Sequence, residues 1–263
     1  MSIPKLRARF LISPHNPNVK RWMSLIEARG IKRHQQCLVS GEKLVHEMVI
    51  RHPSKCLECL HPTQEISQAN LPTHLLHYSL PQPLFKQIDI VGTGYPLVVC
   101  KIPELKPIDL SKPPNRLEVL CPLGDPSNIG ALIRSCRAFG VGKLILLQEA
   151  AHPFHPKAIR AAGGTVFDQA MFQGPAMADL TKKPLAQWII ALDMHGTDLS
   201  QWSWPKHARI LIGEEGKGLP SSRFPHRLTI PHSKEANSLN TTVAASIALF
   251  SYRLSFPLHS DSA

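Results

Sequence analysis

The sequence predicts an α/β protein of two domains, a smaller N-terminal α/β layer followed by a larger, largely parallel sheet with helices on both faces. Three observations predict it. The chain has 263 residues, enough for one large or two modest cores, and its apolar fraction of 43% is ordinary for a globular protein. A tract from Pro103 to Pro114 carries four prolines and can propagate neither a helix nor a central strand, so it marks a boundary. On both sides of it apolar strand patterns alternate with helical ones, the order that builds parallel sheets covered by helices. The expected division is residues 1–102, a linker at 103–114, and residues 115–263.

Before the tract, helices are expected at Lys20–Arg29 and Gly41–Arg51 and strands at Cys37–Val39, Cys56–Leu60 and Leu97–Lys101. After it come a strand at Leu117–Cys121, a helix at Ile129–Phe139 and strands at Lys143–Leu147, Trp188–Leu192, Ile210–Ile212 and Leu228–Ile230. A long final helix is expected from about Leu239 to Leu254, where Leu239, Val243 and Ile247, and likewise Ala244 and Ala248, recur every four residues as a core-facing stripe. The longest apolar run, Val243 to Phe250, is far too short to cross a bilayer. Met1 to Arg7 carry positive charge with no apolar segment behind them, so a cytosolic protein with no membrane partner is expected.

Thirty Lys and Arg against nineteen Asp and Glu give a formal charge of +11, which favours polyanionic partners through counterion release at phosphates. Residues 1–33 concentrate eight of these cations against the single acid Glu27. Arg7, Arg9, Lys20 and Arg21 are the candidate RNA contacts, and a plain solvated basic face is the alternative.

The six cysteines, at positions 37, 56, 59, 100, 121 and 136, are too few and too dispersed for a disulfide scaffold, so reduced thiols are expected. His52, Cys56, Cys59 and His61 supply four potential zinc ligands within ten residues. In a regular strand Cys56 and Cys59 face opposite sides, which predicts two apolar thiols in a core and no metal site.

Three segments are candidates for chemistry, although taken singly the first reads as a capped helix with Arg134 a surface cation and the second as a glycine-rich strand-to-helix loop. The first is Asp125-Pro-Ser-Asn128-Ile-Gly130-Ala-Leu-Ile-Arg134, a strand-to-helix turn in which Ser127 or Asn128 can cap the helix and which Gly140 would end. The second, Gly213-Glu214-Glu215-Gly216-Lys217-Gly218, follows a strand. Its glycines allow close backbone approach, while its paired carboxylates make a poor phosphate cradle and suit a ligand with positive charge or hydroxyl donors. The third, Asn237-Ser238-Leu239-Asn240-Thr241-Thr242, opens the last helix. One of Asn237, Ser238 and Asn240 serves as its cap, leaving polar groups over at the helix mouth.

Together the three segments resemble the SpoU (TrmH) family of RNA 2'-O-methyltransferases, whose pattern is Asn-x-Gly-x-x-x-Arg, Gly-x-Glu-x-x-Gly and Ser-Leu-Asn, in that order, over residues 116–254. Residues 12–20 and 37–45 more weakly resemble the L30e-like substrate-binding domain of its ribosomal-RNA branch. The resemblance implies a trefoil-knotted (SPOUT) C-terminal domain whose knot forms a pocket for S-adenosyl-L-methionine, bordered by Leu192, Gly213, Ile230 and Leu239. It also implies catalytic and substrate positions at Asn128, Arg134, Glu215, Ser238 and Asn240, and a homodimer. Large-subunit ribosomal RNA is the favoured substrate and transfer RNA the second. The competing class is a non-catalytic RNA-binding protein that keeps the fold. The sequence departs from the family pattern at Thr242 (commonly serine), Asn237 (often glutamate), His232 (usually methionine) and Ser40 (usually glutamate). Transfer of a methyl group to a ribose hydroxyl needs alignment together with a proton acceptor or a group that stabilises the developing alkoxide, and the resemblance places Arg134 in one of these roles.

Overall fold

The computed structural model describes residues 8–62, 72, 74–182, 185–214, 219, 224–233, 235 and 237–258. In chain order its regular elements begin with β1 (Arg9–Phe10), α1 (Pro17–Ser24), α2 (Ala28–His34), β2 (Gln36–Val39), α3 (Glu42–Arg51), β3 (Cys56–His61), β4 (Leu76–Ser79), α4 (Gln82–Ile88) and β5 (Leu97–Lys101). They continue with β6 (Glu118–Cys121), α5 (Pro126–Ala138), β7 (Lys143–Leu146), α6 (Pro156–Ala162), β8 (Met171–Gln173), α7 (Met177–Leu180), β9 (Ile190–Asp198), β10 (Arg209–Leu211), β11 (His226–Thr229) and α8 (Thr241–Ser255). No helix among the described residues is long and apolar enough to cross a membrane.

The chain divides into two compact units, residues 1–104 with 152–167, and residues 105–151 with 168–263. The segment 152–167, which follows β7 in sequence, thus packs with the first unit: α6 lies against β2, and Phe167 meets the rings of His52 and Phe154. The second half of the proline tract belongs to the second unit. There the Ile108 amide donates to the Gln173 carbonyl, and the Arg209 guanidinium donates to the carbonyls of Leu110 and Lys112.

The first unit is built on a sheet of order β1-β4-β3-β5-β2, in which β4 is parallel to β1 and β3 while β5 runs antiparallel to β3 and β2. One face of the sheet is apolar, where Leu60, Tyr78, Leu97 and Val99 pack with Val19 and Trp22 of α1 and Leu84 and Phe85 of α4. On this side Glu58 accepts from the Trp22 indole at 2.8 Å and from the Arg21 guanidinium at 2.8 Å. The opposite face carries Cys59 and His61 of β3 beside His77 and Ser79 of β4, all buried.

A β-bulge decides where the thiols fall. Cys56 pairs with Cys100 and Cys59 pairs with Val98, with the register shifting between Cys56 and Glu58. Positions 98 and 100 share a face of β5, so Cys56 and Cys59 share a face as well, contrary to the expectation from regular alternation. All six cysteines are free and buried.

The second unit carries a sheet of order β11-β9-β10-β6-β7-β8 with every neighbouring pair parallel. Leu120, Ile145, Ala191 and Leu211 form its central layer, covered by Leu180, Ile189 and Phe224. Three local expectations are corrected. The region expected as one helix at Lys20–Arg29 is two, α1 and α2. The cap of α5 is Asp125, whose carboxylate accepts from the amides of Ser127 and Asn128, with Pro126 at the first helical position. The last helix starts at Thr241 and buries Ala245, Ala248, Leu249 and Tyr252, whereas Val243 and Ile247 of the expected core stripe are 48% and 37% exposed.

Candidate functional site

The cleft at the carboxyl ends of the parallel strands in the second unit holds about 400 Å³, within the size range of small-molecule sites. Four features shape it. The chain leaving β10 supplies Ile212, Gly213 and Glu214, and the chain leaving β11 supplies Ile230 and His232. The residues before α8 supply Asn237, Ser238 and Leu239. The fourth is an excursion in β9: Arg227 and Leu228, adjacent in β11, pair with Ala191 and Thr197, so residues 192–196 have no partner in that ladder and Leu192, Asp193 and Met194 line the cleft. Gly196 makes the excursion possible, because a Cβ there would lie 2.4 Å from the Arg227 carbonyl oxygen.

Leu192, Gly213, Ile230 and Leu239, distant in sequence, therefore line one cleft, together with Ser238. Its walls combine apolar side chains with polar ones at Asp193, Glu214, Thr229, His232, Asn237, Ser238 and Thr241. The Asp193 carboxylate accepts from Nε and a terminal nitrogen of Arg227, at 3.1 and 2.8 Å. This ion pair fixes the excursion at the cleft wall. Sequence reading missed Asp193. The signal available was its place immediately after an apolar run, at the carboxyl end of a parallel strand, where α/β sheets bind ligands.

The helix residues lie elsewhere. Asn128 is half-buried in the first turn of α5, and Arg134 is exposed further along the same helix. The α5 and α8 helices pack together: the Thr242 hydroxyl donates to the Asn128 carbonyl at 3.4 Å, and the hydroxyls of Ser135 and Ser246 meet at 2.8 Å. Asn240 caps α8, its side-chain oxygen accepting from the amides of Thr242 and Val243 at 2.9 and 3.3 Å. Its amide nitrogen is not used by the cap, and the Thr242 side chain faces α5. Glu215 lies outside the described residues, as does Arg7.

Among the other candidate RNA contacts, Arg9 and Lys20 are exposed. Arg21 is an internal anchor instead. It is held by Glu58 at 2.8 Å and by Gln36 at 2.6 Å, with 17% of its side chain exposed, so most of its donors are directed into the fold.

The fold and the cleft define a doubly covered parallel α/β domain with a ligand site at its strand ends. The sequence model described as the SpoU rRNA Methylase family matches residues 117–250, and the chain belongs to that family. A relative from Syntrophobacter fumaroxidans, named ribosomal RNA small subunit methyltransferase G 2, is 38% identical over 93% of this chain, which spans about half (49%) of that protein. The 23S rRNA (guanosine(2553)-2'-O)-methyltransferase RlmP of Bacillus subtilis is 25% identical over 92% of this chain and 98% of its own. The fold is shared with the AdoMet-bound rRNA methyltransferase of Sinorhizobium meliloti, with a TM-score of 0.74, 22% identity and coverage of 95% of this chain and 98% of that one.

Proposed function

We propose that the protein transfers a methyl group from S-adenosyl-L-methionine to a ribose 2'-hydroxyl of structured RNA, with 23S ribosomal RNA as substrate. The observation that carries the reading is the convergence of Leu192, Gly213, Ile230, Leu239 and Ser238 on one cleft of about 400 Å³ in a chain of the SpoU family. The site fits the cofactor: apolar walls at Leu192, Ile212 and Ile230 suit a base, and Asp193, Asn237 and Ser238 offer partners for hydroxyl and ammonium groups. The cofactor supplies an electrophilic sulfonium methyl.

The chain supplies the rest. The exposed Arg134 guanidinium grips an RNA phosphate and stabilises the alkoxide that develops on the ribose oxygen as the hydroxyl proton passes to solvent water, a role easier for a group that stays protonated than that of a base. Asn128 and the side-chain amide of Asn240, on helices that pack together, orient the substrate and Arg134, while Glu215 and Ser238 serve the loop geometry or the cofactor side. Exposed Arg9 and Lys20 add RNA affinity from the first unit, which we read as an L30e-like substrate-binding domain, and the cleft is read as the product of a trefoil knot.

The same reading includes a homodimer. Val243, Ile247, Phe250 and Leu254 are 37% to 68% exposed and recur at helical spacing along α8, an apolar stripe that a second copy would cover. The test of function is transfer of tritiated methyl from the cofactor to total RNA, followed by alkaline hydrolysis. Label in alkali-resistant dinucleotides is expected, since a 2'-O-methyl group blocks cleavage at that position. Absence of label, or label confined to bases, would overturn the proposal and favour a non-catalytic RNA-binding protein.

A further inference from the structure

The polar face of the first unit's sheet holds a second cluster, remote in sequence from every residue of the cleft. One ligating atom each from Cys59, His61 and His77 lies within 4.8 Å of the others, and all three side chains are buried. Their placement follows from strand geometry. Cys59 and His61 are two apart on β3 and so share a face, and in the parallel ladder Cys59 stands in register with His77 of β4. His61 Nε2 and His77 Nδ1 approach to 2.9 Å.

A neighbouring carbonyl sets the tautomer of one imidazole. His77 Nε2 lies 3.0 Å from the Pro72 carbonyl oxygen, which can only accept, so Nε2 carries the proton and Nδ1 turns its lone pair into the cluster. A backbone carbonyl on the far nitrogen is the outer partner typical of metal-ligating histidines. The alternative, a buried histidine pair beside a thiol, explains the contact at 2.9 Å but leaves the convergence of the sulfur unexplained.

We propose that Cys59, His61 and His77 bind a zinc ion that clips β3 to β4. Zinc takes thiolate and imidazole ligands at about 2.3 and 2.0–2.1 Å in tetrahedral geometry, with water able to fill a fourth position. Two nitrogens on a tetrahedral zinc lie about 3.3 Å apart, so the imidazoles need to separate by only a few tenths of an ångström. On binding, Cys59 releases its proton to solvent and His61 moves its proton from Nε2 to Nδ1, for a net release of one proton per ion. The set differs from the one suggested by spacing alone: it keeps Cys59 and His61 and takes His77 from a neighbouring strand in place of His52 and Cys56.

The test uses the full chain prepared without chelator in zinc-supplemented medium, with metal content measured by mass spectrometry and cobalt(II) as an optical probe. One equivalent of zinc is expected, together with a thiolate-to-cobalt absorption band that disappears in Cys59→Ala and in His77→Gln and persists in Cys121→Ala. Added zinc should raise the melting temperature of the wild type and leave that of Cys59→Ala unchanged. Circular dichroism identifies any variant that fails to fold, and the other ligand variant then decides. A wild-type chain without zinc and without a thiolate band in excess cobalt overturns the proposal, as does a band that survives in both folded ligand variants.

Discussion

Arg209 Nε and the Glu118 carboxylate meet at 2.8 Å in the centre of the second unit's sheet, with 2% and 1% of their side chains exposed. Lys143 reaches the other carboxylate oxygen at 2.9 Å, and the remaining Arg209 donors hold the Leu110 and Lys112 carbonyls. One acid thereby joins the starts of β10, β6 and β7 to the proline tract. Breaking such a pair strands a buried charge, so Glu118→Ala should destabilise the chain by about 3–5 kcal/mol. Equilibrium urea unfolding checks this; a loss below about 1 kcal/mol would show that the charges find other partners.

Asn240 has two separable jobs, capping α8 through its oxygen and, in the proposed reaction, orienting substrate through its amide. Asn240→Asp keeps a competent cap and loses the amide donors, so thermal stability should hold while methyl transfer falls. Asn240→Ala should lose both, with a stability cost of about 1 kcal/mol. Parallel melting curves and transfer assays decide. Full activity in the Asp variant would make Asn240 a cap only.

The apolar stripe on α8 predicts that Ile247→Asp combined with Phe250→Asp yields a folded monomer, because both side chains are exposed in the single chain and make up no part of its buried core. Sedimentation velocity checks the mass. A wild-type monomer, or a double variant that remains dimeric, would contradict the homodimer.

Much of the architecture was legible because its signals are local. Apolar runs separated by helical patterns identified most of the parallel strands, and Gly140, at φ +60, closes α5 where its position after the helix said it would. Features that depend on partners distant in sequence were not. The Asp-Pro pair at 125–126 competes with Ser127 and Asn128 for the cap, and only the folded backbone shows which oxygen reaches the first amides. Periodicity marked Val243 and Ile247 as apolar but cannot say whether the stripe faces its own core or another chain. Arg21 reads as a surface cation until Glu58 is brought beside it by β3. The bulge that turns Cys56 and Cys59 to one side, and the excursion that places Asp193 in the cleft, leave no pattern in composition or period.

His152 gives stability a pH dependence. Burial, followed by the charges of Lys32 and His155, lowers its pKa from 6.5 to about 4. Between these values the unfolded chain binds the proton and the folded chain does not, so this stability is present above about pH 6.5 and is lost as pH falls toward 4. His152→Gln should reduce the loss over that window by about 2–3 kcal/mol. Urea unfolding at pH 7.5 and pH 5 measures the change; an unchanged slope in the variant would contradict the assignment.

The central claim, that Arg134 acts on RNA in the transition state while the cleft binds the cofactor, is tested most directly by single-turnover methyl transfer with cofactor titration at equal dimer content. Arg134→Ala should slow transfer by at least about a hundredfold, the scale of a lost transition-state donor or proton acceptor. Arg134→Lys should remain nearly as slow, because lysine keeps the charge but lacks the planar fork that serves two oxygens at once. Cofactor affinity should be unchanged in both, since Arg134 is not among the residues lining the cleft. Near-normal transfer by the alanine variant would contradict the claim, and an equal loss of cofactor binding would make Arg134 a structural residue.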